Sequence, residues 1–251
     1  MIRLVRAEWT KLFTTRVWIG LLLGACAMVA GFASLTTGFA GNPESGIPAV
    51  GTTSFEQIAF AQATGTTVIF LILGIIGMTQ EYRHRTATPT FLTEPRRWHV
   101  VVAKLAAYAL AAVPFAIVVL FVNVVVVEIY AGARGAAPAL TSDNLEVLWS
   151  SGLVLVIYAL IGVGIGALFR NQVGAIVGGL VYLFVVEPVI RSIPATSGAY
   201  KWMPGGAQEA MTATLQGPEL LGAWQGALLL VGYGLVAALL GTLIAVRRDV
   251  V

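Results

Sequence analysis

Six stretches of this chain are continuously apolar over about the thickness of a membrane: Val17 to Phe39, Ile58 to Thr79, Leu105 to Val127, Trp149 to Phe169, Val173 to Val189 and Trp224 to Val246. A hydrocarbon core about 30 Å thick is crossed by roughly 20 residues of helix, so each predicts a membrane span. The fifth is the shortest, and its end lies open between Ile193 and an early stop at Glu187-Pro188. None of the runs shows the period-two polarity of an outer-membrane barrel, so the pattern predicts an all-α integral membrane bundle over 17–246, within one membrane domain spanning 1–251. Ahead of it, residues 1–16 place Ile2, Val5, Trp9, Leu12 and Phe13 at helical spacing, with Arg3, Thr10 and Thr14 on another face. This predicts an amphipathic interfacial helix, with Trp9 at headgroup depth and Arg3, Arg6, Lys11 and Arg16 near anionic lipid. A simple positive anchor before the first span is the alternative.

Composition agrees: 58% of residues are hydrophobic, 11% are charged and the mean hydropathy is +0.87. A soluble domain carries about 25% charge. The net charge of +3 invites a nucleic-acid reading, which the positions of the charges remove. Twelve of the fifteen basic residues fall before the first span, between spans two and three or four and five, or after the sixth; Arg134, Arg191 and Lys201 fall on the other side. By the positive-inside rule both termini are expected in the cytoplasm. A cleaved signal peptide is disfavoured, because the first run is long enough to span and lacks a small-x-small site followed by a polar domain. The single cysteine, Cys26, excludes an internal disulfide and reads as a small side chain in a helix interface.

The connections are unequal. The segments 40–57 and 128–148 read as exposed loops, with Thr141, Ser142 or Asp143 available to cap the fourth span. The third, 191–221, contains the helix-capable run AQEAMTATL from Ala207 and is expected to dip into the outer leaflet, lie on the bundle as a lid, or form an ordinary loop. Gly20/Gly24, Gly162/Gly166, Gly174/Gly178 and Gly222/Gly226 are small-xxx-small pairs for close helix packing, and Pro114 is expected to kink the third span.

Chemistry is sparse. The chain has no GxxxxGK[ST], HExxH or GxSxG. His84 and His99 lack a ligand cluster, so catalytic, cofactor and metal sites are all expected to be none. The spans hold almost no ionisable residue; Glu128 and Glu187 stand at their outer ends, and Gln62, Thr64, Thr66, Thr67, Asn123 and Tyr158 are neutral, which argues against ion-coupled transport. The exception to this quiet is the connector EYRHRTATPTFLTEPRRWHVVVAK, 81–104. Thr88-Pro89 starts a short helix, Pro95 ends it, and Phe91-Leu92 form an apolar knob between Glu81, Arg83, Arg85, Glu94, Arg96 and Arg97. A charged rim around an apolar tip suits a soluble partner's groove. A positive-inside loop resting on headgroups explains the arginines but not the proline-bracketed knob.

Three stretches carry a family resemblance: RAEWTKLFTTRVWIGLLL, EYRHRTATPTFLTEPRRWHVVVAKL, and LFRNQVGAIVGGLVYLFVVEP. With KWMPGGAQEAM before the last span, where Met203 replaces a family leucine, they resemble the permease subunits of ABC-2-type ABC transporters, in particular the bacitracin-resistance and bacteriocin-immunity branch. The resemblance implies a noncatalytic half-transporter in a bacterial cytoplasmic membrane. It would dimerise with a second permease, identical or paralogous, and be driven by separate cytoplasmic ABC ATPase subunits that bind ATP and Mg. It also implies that 1–16 is a connecting helix, that Thr88 to Arg97 form a coupling helix, that Arg170, Asn171 and Gln172 make a second short contact, and that 191–221 form an outer lid. Membrane lipid is an expected partner and nucleic acid is not. A stand-alone secondary transporter or channel is the competing reading, and an intramembrane enzyme finds no nucleophile or metal set.

Overall fold

The computed structural model describes residues 1–84, 96–169, 171–212 and 220–247. Among these the chain is helical, without strands, and six helices are long and apolar enough to cross a membrane. The order is α1 (Ile2–Thr14), α2 (Val17–Phe39), α3 (Thr53–Ala61) running through a 3-10 turn (Gln62–Thr66) into α4 (Thr67–Arg83), α5 (Arg97–Ala133) and α6 (Ser142–Phe169). Then come α7 (Gln172–Val181), a π turn (Tyr182–Val186), α8 (Glu187–Ser192), α9 (Ser197–Tyr200), α10 (Pro204–Thr212) and α11 (Ala223–Arg247).

Side-chain bridges fix which helix ends share a face. At one face, here the connector face, Arg83 at the end of α4 reaches Gln172 at the start of α7 at 3.5 Å, and α1 packs on the first turns of α5. At the far face the Arg134 guanidinium donates to the carbonyls of Thr37, Gly38 and Ala40, holding the end of α5 on the end of α2. There a cation sits at the carbonyl end of a helix, where the last C=O groups are incompletely bonded. Asn144 bonds Glu56 at 2.6 Å, joining the starts of α6 and α3.

The second span begins five residues before the sequence expectation, at Thr53. Thr52 caps it by accepting from the Phe55 amide at 3.3 Å, and Phe55, Ala59 and Phe60 are fully buried. Helix thus takes over the end of the predicted 40–57 loop, because an N-cap hydroxyl precedes an aromatic that has a pocket to fill. Where α3 tightens to 3-10, the carbonyls of Ala59 and Phe60 both accept from buried Asn123, at 3.3 and 2.7 Å. The second predicted loop shrinks to residues 134–141, and Thr141 caps α6 by accepting from the Asn144 amide. α5 runs uninterrupted across Pro114. The fifth span continues through Pro188 to Ser192, and the π turn ends two residues before the proline, in the turn where the missing N–H disturbs the α-helical ladder.

The centre of the bundle is the pair α4–α6, with α11 on the other side of α6. Lipid offers no hydrophobic reward for bringing helices together, so contact relies on close van der Waals packing of small residues. Gly74 lies on the Ala159 carbonyl and Gly162 on that of Leu71, each so close that a Cβ would overlap backbone. Of the four predicted glycine pairs, Gly162/Gly166 serves this contact. Gly20 and Gly24 meet nothing within 4 Å and lie on the outward surface of α2.

Gly162→Val should therefore cost on the order of 3 kcal/mol and lower the unfolding temperature measured in detergent, because the neighbouring atoms are main chain and cannot turn away. Gly20→Ala should unfold with wild type; equal behaviour of both variants would contradict this packing.

Candidate functional site: a buried ion network at the connector face

Glu8 is the one acid on α1, and it is buried together with Leu12 on the face that meets α5. It lies next to Trp9 and about one turn before Leu12 and Phe13, and Phe13 continues into an aromatic cluster with Trp18 and Phe115, at ring distances of 5.3 and 6.5 Å. The apolar stripe read from the sequence thus packs against protein through Leu12 and Phe13, while Ile2 and Trp9 stay exposed. Arg3, Arg6 and Arg16 are exposed as well.

Glu8 pairs with two lysines, and through them joins Glu81. Lys104, with no exposed surface, donates to Glu8 Oε2 at 2.6 Å and to the Gly77 carbonyl at 3.1 Å, and lies 3.3 Å from Glu81 Oε1. Lys11, half-exposed, donates to Glu8 Oε1 at 2.6 Å and to Glu81 Oε1 at 2.7 Å. Each carboxylate bridges both ammonium groups, so two negative and two positive charges close on themselves and no net charge is buried. Gly77 makes room: Tyr108, one turn beyond Lys104, lies flat against it where any Cβ would enter the ring.

Burial lowers the pKa of Lys11, but its hydrogen bonds and charge pairing with Glu8 and Glu81 outweigh that and hold it above the usual lysine value. A pKa raised on folding gives stability that is complete below lysine's unfolded value and lost only as the pH rises through the folded value. The Lys11 contribution therefore persists through neutral and acidic pH.

This arrangement corrects the sequence reading at two positions. Glu81, expected on the charged rim of the connector, is buried on α4 and turned inward to the network. Lys104, counted only as a topology marker, is the most deeply buried charge of the four. Both belong to the ends of spans, so the bundle holds more ionisable groups than the apolar runs suggest; Glu187, 5% exposed, is another. The signal available in the sequence was Glu8 itself, an acid on the otherwise basic α1, in register with Leu12.

Other expected site residues are placed as follows. Arg83, His84 and Arg96 are exposed at the two ends of the connector, and Arg97 begins α5. Asn171 caps α7 by accepting from the Gly174 amide at 3.1 Å. Arg85, Thr88, Pro89, Phe91, Leu92, Glu94 and Arg170 lie outside the described residues. Among the described residues no three His, Cys, Asp or Glu side chains come together as a metal site.

The third connection, 193–212, is not a surface loop alone. The Trp202 carbonyl accepts from the Tyr233 hydroxyl at 2.7 Å, and Tyr233 lies ten residues into α11, about 15 Å along its axis. α10 buries Ala207, Ala210 and Met211 against α6 and α11, with Gly226 touching the Ala207 carbonyl.

Six spans, a half-buried amphipathic helix and a compensated ion network at one face define a multi-pass all-α membrane protein. The model of the ABC-2 family transporter proteins matches residues 4–186, and the chain belongs to that family, the membrane components of ABC transport systems. The match includes all four members of the network. A search of curated proteins gives no match.

Lys104→Met should lower stability by about 3–5 kcal/mol, because it strands two buried carboxylates on one remaining lysine. Adding Glu8→Gln to it should recover part of that loss in a thermal-unfolding cycle, whereas Lys11→Ala alone should cost about 1 kcal/mol or less. Strict additivity of the two central substitutions would show that the network is not a unit.

Proposed function

We propose that this chain is the permease subunit of an ATP-driven ABC-2-type exporter, working as a dimer with separate cytoplasmic ATPases that bind ATP and Mg, in a bacterial cytoplasmic membrane. In this reading the connector face is cytoplasmic, and the segment from Thr88 to Arg97 is the coupling helix that enters the ATPase.

The observation that carries the reading is the ion network. Glu81 stands just before the connector on α4, Lys104 just after it on α5, and Glu8 and Lys11 on α1. Three helix ends that flank the expected ATPase contact are thereby tied together by charges that cannot separate without being stranded in a low-dielectric surrounding. A displacement of the connector then moves α1, α4 and α5 as one body. Substrate affects such a cycle only through different affinities for its two conformations. Contact of Arg83 with Gln172 extends the same body toward α7, beside the second expected contact at Arg170 and Asn171. The outward apolar surfaces of α2 and of the fifth span are available for lipid and for a second permease, identical or paralogous.

A gradient-driven carrier is the second reading, and buried Glu187 is the observation that favours it.

Tagged protein extracted gently from native membranes should carry a soluble P-loop ATPase in comparable amount, identified by mass spectrometry. Phe91→Asp should reduce its recovery roughly tenfold or more while leaving membrane insertion intact. Purification of the chain alone, with transport in liposomes lacking ATP, would favour the carrier.

A further inference from the structure

Two adjoining chambers lie between α4, α6, the fifth span and α11, the larger reaching toward the connector end of α6 at Phe169 and the smaller lying on the far side. The larger, about 370 Å³, is walled by Leu71, Ile161, Ile165, Phe169 and Leu183. The smaller, about 210 Å³, is of mixed polarity, bordered by Thr64, Thr67, Gln208, Glu187 and Glu209 together with Val68 and Phe184. Tyr158 and Leu183 stand in the walls of both.

The two carboxylates differ. Glu209 is engaged by Arg191 at 2.5 Å, and that guanidinium also lies over the Tyr200 ring, 5.2 Å from its centre. Glu187 is 5% exposed and accepts from the Gly205 amide at 3.0 Å, but no basic side chain among the described residues pairs with it. The position is built for that carboxylate: Gly205 comes so near Glu187 Oε2 that a Cβ there would collide with it. A buried carboxylate without a counter-charge is costly, and neutral dipoles offset only part of the cost. Tyr158 and Tyr200 stand with it in the wall of the smaller chamber, and aromatic faces favour cations. The larger chamber is of the size that takes a drug-sized apolar ligand.

We propose that the paired chambers bind an amphiphilic organic cation, its positive group at the Glu187 carboxylate and its apolar body in the larger chamber. Its place as a transported substrate rests on the exporter reading; binding itself does not. Opposite charge on the ligand supplies the partner that the protein leaves out, and the shared wall at Tyr158 and Leu183 sets polar and apolar ends side by side.

The test is binding of tritiated tetraphenylphosphonium to the intact permease alone in lipid nanodiscs, with empty nanodiscs as the blank and no nucleotide. Saturable binding is expected for wild type, weakened roughly tenfold or more in Glu187→Gln, which keeps an acceptor oxygen for Gly205. Glu187→Asp should retain it. Gly178→Leu, which projects into the larger chamber far from the carboxylate, should also abolish it, and tetraphenylborate, of matching shape and opposite charge, should not compete. Undiminished binding in well-folded Glu187→Gln and Gly178→Leu, or equal binding of the borate, would overturn the proposal. Because no ATPase takes part, such a failure leaves the co-purification result untouched, and absence of the ATPase leaves this binding result standing.

Discussion

A closed circuit of four charges at the connector face is the constraint on which the arrangement of the first half of the chain depends. Each of its ions would be expensive to bury alone, and a single pair would leave acceptor and donor positions unfilled. Sharing both carboxylates between both lysines removes the net charge and fills the ammonium hydrogen bonds, with the Gly77 carbonyl taking one from Lys104. Lys11 remains half-exposed, which places the circuit at the boundary between packed helix and water, where desolvation is partial. Geometry follows from this: α1 cannot lie freely at a membrane surface, since Glu8 must reach Lys104 on α5, and α4 must end near Glu81's present position.

Packing and charge are coupled at one residue. Gly77 has no side chain, so Tyr108 lies against α4 and the Gly77 carbonyl becomes reachable from Lys104. Further along α4, Gly74 continues the same economy toward α6, where main chain meets main chain. Without hydrophobic driving force between helices in lipid, these contacts and the ion circuit share the task of holding the bundle together. The far face uses a different set of interactions, with Arg134 on the carbonyls of α2, Asn123 on those freed at the 3-10 turn, and Asn144 on Glu56.

The six spans were legible because uncharged length is a one-dimensional property, and the first span, Val17 to Phe39, coincides with α2. Boundaries elsewhere moved outward where a tertiary pocket extended a helix, as Phe55 does for the second span. Ionic partners were not legible: Glu8 and Lys104 are separated by 96 residues, and nothing local distinguishes a buried lysine near a span's end from one facing headgroups. The same difficulty hid Glu187, whose neighbours Tyr158, Tyr200 and Gly205 come from α6, α9 and α10. A helix-capable run before the last span was visible in the sequence, but its depth was not, because depth is set by Tyr233 and Gly226 on another helix.

The two ends of the bundle are electrically unlike, and this bears on which parts can move. Separating α1 from α4 or α5 would strand charges that now cancel, so the connector face resists any motion that changes internal distances and favours motion as a body. The fifth span is built the other way. It is interrupted by a π turn at Tyr182–Val186, meets Pro188 two residues later, and exposes most of its length outside the bundle. A helix whose hydrogen-bond ladder is already irregular can shift register at lower cost than a regular one. Displacement imposed at the connector face would therefore be carried intact along α4 and α5 and be absorbed where α4 meets the fifth span. Leu71 of α4 and Leu183 of the fifth span stand in the wall of the larger chamber, so a shift at that junction would reshape the cavity that adjoins Glu187.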